Sequence, residues 1–234
     1  MLEIKNIETH PYDEKLFNND TLTLTNKVTV LSGPNGYGKT TLMRELKSAL
    51  KANGAIEFDN NPRARKLTFS ASEIFLDKSI DKNTTIGFLS YDSHADDYSS
   101  TISKNLFNEN FAQVALRKTS SEGQNNLISL MDLFDNAQAI AKEHQQLRQL
   151  VIFVDGIDSG LSVNLLHLIA KTLDAKLKQV ERHNPNLEVF IIFTTNAYEL
   201  VRNLPTIDPI TFEPVSYKNY EDFYQDILDK AKRN

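Results

Sequence analysis

No cysteine occurs anywhere in the 234 residues. Disulfide staples and thiolate metal sites are therefore excluded, and the composition fits a reducing compartment. No apolar run reaches the ~20 residues that a membrane-spanning helix needs. The opening Met1-Leu2-Glu3-Ile4-Lys5 is no signal peptide, so a cytoplasmic chain with no membrane partner is expected. Internal repeats and low-complexity linkers are absent. Positive charge is not in excess: 26 Lys+Arg against 31 Asp+Glu leave a net charge of −5. Nothing in the overall charge pulls the chain toward nucleic acid, so that partner would need a local patch. Arg63, Arg65 and Lys66 are the candidate cluster, in a polar loop that reads more simply as a solvated face. Hydrophobic content of 40% and charged content of 24% are ordinary, and the length suits one α/β domain over residues 1–234 with room for a small insert.

Glycine is also scarce, with eight in the chain, yet Gly33, Gly36 and Gly38 crowd into six positions. They belong to Gly33-Pro34-Asn35-Gly36-Tyr37-Gly38-Lys39-Thr40, which fits G-x-x-x-x-G-K-[ST]. A β-branched run from Val28 to Leu31 precedes it, and a helical run from Thr41 to Leu50 follows. Strand, glycine-rich loop and helix are the setting in which backbone N–H groups converge on phosphates at a helix N-terminus. Residues Gly33 to Thr41 are thus expected to bind the phosphates of ATP, with Lys39 reaching the β- and γ-phosphates and the Thr40 hydroxyl a ligand for Mg²⁺.

The rest of the chain alternates strands and helices. Leu2–Ile7 and Thr21–Leu24 read as two antiparallel-type strands ahead of the loop, and Asn53-Gly54 as a helix stop. Short strands are expected at 74–76 and 86–91, a turn at 94–97 and a helical insert at 103–118. After the polar turn Thr119–Gln124 come two helical pieces, the second ending near Arg148. The apolar runs Gln149–Asp155 and Val189–Asn196 read as buried parallel strands, with a long helix over Leu161–Arg182 between them. Phe212–Val215 suggests a last strand. Tyr220, Phe223, Ile227, Leu228 and Ala231 mark one face of a C-terminal helix, and Tyr220, Phe223 and Tyr224 read as packing rather than as a stacking platform. Ligands of such sheets lie beyond the carboxyl ends of the strands, which directs Asp155 and the segment Thr194–Asn196 to the nucleotide. Asp155 is the second expected Mg²⁺ ligand, usually through water.

The glycine-rich loop, the Ser120-Ser121-Glu122-Gly123-Gln124 turn before a helix, and Val151-Ile152-Phe153-Val154-Asp155-Gly156-Ile157-Asp158-Ser159-Gly160-Leu161-Ser162 stand in the order of ABC-type ATPases. The chain resembles the soluble branch of that family, the structural-maintenance-of-chromosomes and RecF-like ATPases. The resemblance implies a P-loop NTPase with a mainly parallel sheet, N-terminal antiparallel strands and a helical insert about 98–148. It also implies Mg·ATP as ligand and a homodimer that closes on two ATPs. Ser121 and the Gly123 backbone of one subunit would touch the γ-phosphate held by the other's Lys39, and Ser159–Ser162 would run along the seam. Read by itself, Ser121 is equally a helix N-cap.

The sequence departs from the family pattern in three places. Gly156 stands where a catalytic Glu usually follows Asp155, which implies slow hydrolysis, with Asp158 the nearest substitute. Asn196 stands at a switch position often held by His; it can hydrogen-bond but not carry charge. No Q-loop glutamine is evident, and Asp92, Ser93 or His94 stands in its place. Lys39, Asp155, Asp158 and Asn196 are therefore the catalytic candidates. The expected function is an ATP-gated switch acting on an effector such as a nuclease. A non-hydrolysing nucleotide-binding scaffold and a P-loop kinase are the alternatives.

Overall fold

The computed structural model describes residues 1–58, 85–92 and 121–232, without 157 and 159. The expected strand at 74–76, turn at 94–97, helical insert at 103–118 and the cluster Arg63, Arg65 and Lys66 lie outside these residues.

β1 (Leu2–Ile4) and β2 (Leu22–Leu24) pair antiparallel, Leu2 opposite Leu24, as a separate two-stranded sheet. Then come β3 (Val28–Ser32), α1 (Lys39–Ala52), β4 (Ile56–Glu57), β5 (Ile86–Asp92), α2 (Glu122–Glu143), β6 (Gln149–Asp155), α3 (Val163–Glu181) and β7 (Glu188–Thr195). The chain ends with α4 (Tyr198–Val201), β8 (Thr206–Ile207), β9 (Pro214–Val215) and α5 (Tyr220–Ala231). The main sheet has the order β4-β5-β6-β7-β3-β8-β9, parallel throughout except for the antiparallel edge pair β8–β9.

Successive strand residues point to opposite faces, and here each face has its own core. From β6, Leu150, Ile152 and Val154 pack under α2 and α3 with Leu133, Phe134, Ile140, Leu173 and Leu177. Val151 and Phe153 turn the other way, to Leu42, Met43 and Leu46 of α1 and to Leu2, Ile4, Leu22 and Leu24 of the small sheet. Cover on both faces is why the central strands read as unbroken apolar runs.

The helical signals translate with three changes. Residues 122–143 form one 22-residue helix, not two pieces, and it closes at His144 rather than near Arg148. Its apolar stripe, Leu130, Leu133, Phe134, Ala137, Ile140 and Ala141, is spent on the core, so this part of the expected insert is a layer of the fold. On α5, Tyr220, Leu228 and Ala231 face outward; the inward face carries Phe223 with Lys230, which is 6% exposed. An apolar-only count could not place a buried lysine there. Phe212 precedes β9 in a left-handed turn, φ 63°, rather than within it.

Candidate nucleotide site

β3 lies inside the sheet between β7 and β8, so the loop that follows it opens at the carboxyl ends of the parallel strands. Gly36 and Gly38 have φ of 79° and 80°, left-handed values that side chains other than Gly seldom adopt. They turn the chain into α1, whose first residue is Lys39. The Lys39 ammonium donates to the carbonyls of Gly33 and Pro34 at 2.6 and 2.8 Å. An amine held across its own loop, with the N–H groups of a 14-residue helix beginning at the same point, is arranged to receive polyphosphate oxygens.

A cavity of about 200 Å³ opens here, lined by Asn35, Gly36, Tyr37, Gly38, Lys39, Thr40 and Thr41 of the loop, by Asp155, Gly156 and Asp158 after β6, and by Thr194, Thr195 and Asn196 after β7. All four catalytic candidates, Lys39, Asp155, Asp158 and Asn196, line it. Ser121 and Gly123 do not. Ser121 caps α2: its hydroxyl accepts from the Gln124 N–H while the Gln124 side chain accepts from the Ser121 N–H. Gly123 lies against the loop after β6, where a β-carbon would come within 2.0 Å of the Gly160 carbonyl oxygen.

Several contacts around the cavity carry no strong sequence signal. The Thr194 hydroxyl donates to an Asp155 carboxylate oxygen and accepts from the Gly156 N–H, so one threonine fixes both the carboxylate and the turn after it. Asp158 accepts from the Asn196 backbone N–H at 2.7 Å, and the Asn196 amide donates to the Asn35 side chain at 2.7 Å. These two bonds tie the loops after β6 and β7 to the glycine-rich loop. Gly156 itself sits at φ 68°. A glutamate in this backbone conformation would cost about 1–2 kcal/mol, so the missing carboxylate is matched by a turn that suits glycine. Asp92 ends β5 in register with Asp155, while Ser93 and His94 lie outside the described residues. Tyr12, from the loop between β1 and β2, brings its hydroxyl within 3.4 Å of the Thr41 hydroxyl, under the guanidinium of Arg44. An isolated aromatic in a polar stretch was its only sequence trace.

The donor set fits Mg·ATP. Thr40 is exposed at the mouth and Asp155 is largely buried. Among the described residues no cluster of three His, Cys, Asp or Glu could hold a metal unaided. A magnesium ion bound here would draw on one or two protein oxygens together with phosphate oxygens and water, its usual mode. When bound, it would neutralise charge on the phosphates.

Residues 17–141, more than half of the chain, match the ABC transporter family. The chain belongs to the ABC transporter family. The match takes in the glycine-rich loop and α2 as far as residue 141; Asp155, Asp158 and Asn196 lie beyond it. No curated protein and no solved structure matches. As an ABC-type ATPase domain it binds ATP, and hydrolysis is the general activity of its family. No helix among the described residues is long and apolar enough to cross a membrane.

Burial pushes the Lys39 ammonium down to about 8, with Asp158 and Asp155 opposing the fall. A bound triphosphate favours the charged amine. Above pH 8 the free protein has released this proton and the complex keeps it, so binding takes one up. The dissociation constant for ATP should therefore be flat below pH 7.5 and rise above pH 8, by up to ~10-fold per pH unit. Calorimetry at pH 9 in two buffers of different ionisation heat should show uptake approaching ~1 proton. A flat affinity from pH 7 to 9.5 would overturn this assignment.

Proposed function

We propose that the chain is a Mg·ATP-dependent switch of the structural-maintenance-of-chromosomes and RecF-like branch, a single domain over residues 1–234 that pairs with a second copy when ATP is bound and hydrolyses it slowly. One observation carries the reading. The loop that bears Asp158 meets the α2 N-terminus at Gly123 on one side and the backbone of Asn196 on the other, and the Asn196 side chain in turn donates to Asn35 of the nucleotide cavity. A change at the phosphates therefore has a short path to the Ser121 end of α2. Ser121 is exposed at that end, and a helix N-terminus with a small hydroxyl is a ready receptor for a partner's γ-phosphate. Thr40 and Asp155 are the proposed magnesium ligands.

Binding energy of ATP would favour the paired state, and loss of the γ-phosphate would release it. The net chemistry is water attacking the γ-phosphate, with ADP leaving. Asp155 is held by Thr194, Gly156 has no side chain with which to polarise that water, and Asp158 already accepts from Asn196. Slow turnover follows. Control of an effector such as a nuclease, in DNA maintenance or phage defence, is proposed on fold-level analogy. A cytoplasmic setting fits the absence of cysteine.

Light-scattering mass with and without Mg·ATP, followed by a phosphate assay on the same sample, tests this. The expected result is a doubling of mass with ATP and release well below the ~1 s⁻¹ at the low end for enzymes. Ser121→Arg should retain binding and stay monomeric. A wild-type monomer at saturating Mg·ATP would refute the switch. The glycine at 156 favours one other reading, a non-hydrolysing regulatory scaffold; doubling of mass with no phosphate release would select it.

A further inference from the structure

Tyr37 lies in the middle of the glycine-rich loop, yet its side chain is only 5% exposed. The ring packs on Gly33, where a β-carbon would lie 2.6 Å from the tyrosine Cδ1. Its hydroxyl donates to Asp208 Oδ2 at 3.3 Å. The same oxygen is 2.8 Å from the ammonium of Lys230, which also pairs with Asp226 at 2.7 Å and sits 5.4 Å from the centre of the Tyr37 ring. The other Asp208 oxygen accepts the backbone N–H groups of Ile210 and Thr211. Tyr217 serves the far carboxylate as Tyr37 serves the near one, donating to Asp226 at 2.6 Å.

Two carboxylates and one ammonium leave this cluster one negative charge in excess. Asp208 and Lys230 are 7% and 6% exposed, and burying charge is costly unless its lone pairs are filled. Beside Lys230 and the Ile210 and Thr211 N–H groups, the two tyrosine hydroxyls complete the set of donors to these carboxylates. The bond from Tyr37 is therefore demanded by the C-terminal segment, and it fixes the ring that in turn bears on Gly33, whose carbonyl holds Lys39.

We propose that Tyr37 is a positioning residue for nucleotide binding: anchored by the Asp208–Lys230–Asp226 cluster, it holds the glycine-rich loop in the shape that accepts a triphosphate, and so makes α5 part of the nucleotide affinity. The proposal rests on the ATP-binding reading of that loop.

The full chain is titrated with Mg·ATP as wild type, Tyr37→Phe and Tyr217→Phe, and each is melted without nucleotide. Tyr37→Phe keeps the ring and removes one charge-assisted donor, so its dissociation constant should rise about tenfold. Tyr217→Phe weakens the same cluster through Asp226 and leaves the Tyr37–Asp208 bond and the ring on Gly33 in place; it should lower the melting temperature comparably and leave the dissociation constant within about twofold. Asp208→Asn in the Tyr37→Phe background should add little to the affinity loss already present, since both break one contact. Equal affinity losses for the two phenylalanine variants, or none for Tyr37→Phe, would overturn the positioning role while ATP binding stands. A wild type that binds no ATP would overturn both.

Discussion

Lys39→Ala should raise the dissociation constant for ATP by at least ~100-fold, the largest effect expected of any single side chain. Among the described residues its ammonium is the one cation lining the cavity, and it already spans Gly33 and Pro34. Contacts of a charged amine to phosphate oxygens are worth about 1.5–3 kcal/mol each, and two of them exceed the ~2.8 kcal/mol that corresponds to a hundredfold. The unliganded fold should respond in a different sense. Burial already disfavours the charged amine there, so deleting it removes a desolvation cost along with two hydrogen bonds, and the melting temperature should move little. Titration with a fluorescent ATP analogue, beside a melt of the same preparation, separates the two effects. Affinity within threefold of wild type would remove the loop from the site.

Gly123→Ala should be the most damaging one-carbon change to the fold. The added methyl would meet the Gly160 carbonyl oxygen at 2.0 Å and its carbon at 2.7 Å. Both are backbone atoms, so no side chain can rotate away, and either the first turn of α2 or the loop after β6 must shift. Overpacking of this kind costs about 1–3 kcal/mol, and each kcal/mol moves the melting temperature of a chain this size by about 2–4 °C. The displaced loop carries Asp158, so the ATP-induced rise in melting temperature should shrink as well. Scanning calorimetry with and without Mg·ATP reads both. A variant that melts like wild type would mean that the two backbones do not meet.

The readable parts of this molecule are those in which one residue type has one physical reason to be where it is. The loop from Gly33 to Thr40 could be read residue by residue because left-handed turns select glycine and phosphates select lysine. Asp155 was legible because a carboxylate closing an apolar strand, beside a phosphate-binding loop, has a cation to meet. Thr194 was harder: threonine is common in strands, and nothing in the run Val189 to Thr195 distinguishes the hydroxyl that holds Asp155 from its neighbour. The Asn35–Asn196 contact joins residues far apart in the chain, each with an ordinary reason to be in a loop. Lys230 was hidden by its surroundings, since a lysine in Asp226-Ile227-Leu228-Asp229-Lys230 reads as solvated until Asp208 is brought beside it. Strands as short as β4 and β8 and the four-residue α4 are too brief for periodicity to register; pairing with longer neighbours creates them.

The placement of β3 has a bearing on biosynthesis. Val28 has Ile191 as its neighbour on one side, and Val30 has Thr206 on the other. β3 must therefore wait until residues beyond 190 have been made before either flank is satisfied, and contacts of such sequence separation are slow to form. During translation the apolar segment Val28–Leu31 remains without its sheet, so nucleotide cannot stabilise the nascent chain. Translation arrested before residue 188 would leave a fragment with an intact glycine-rich motif and no ability to retain ATP.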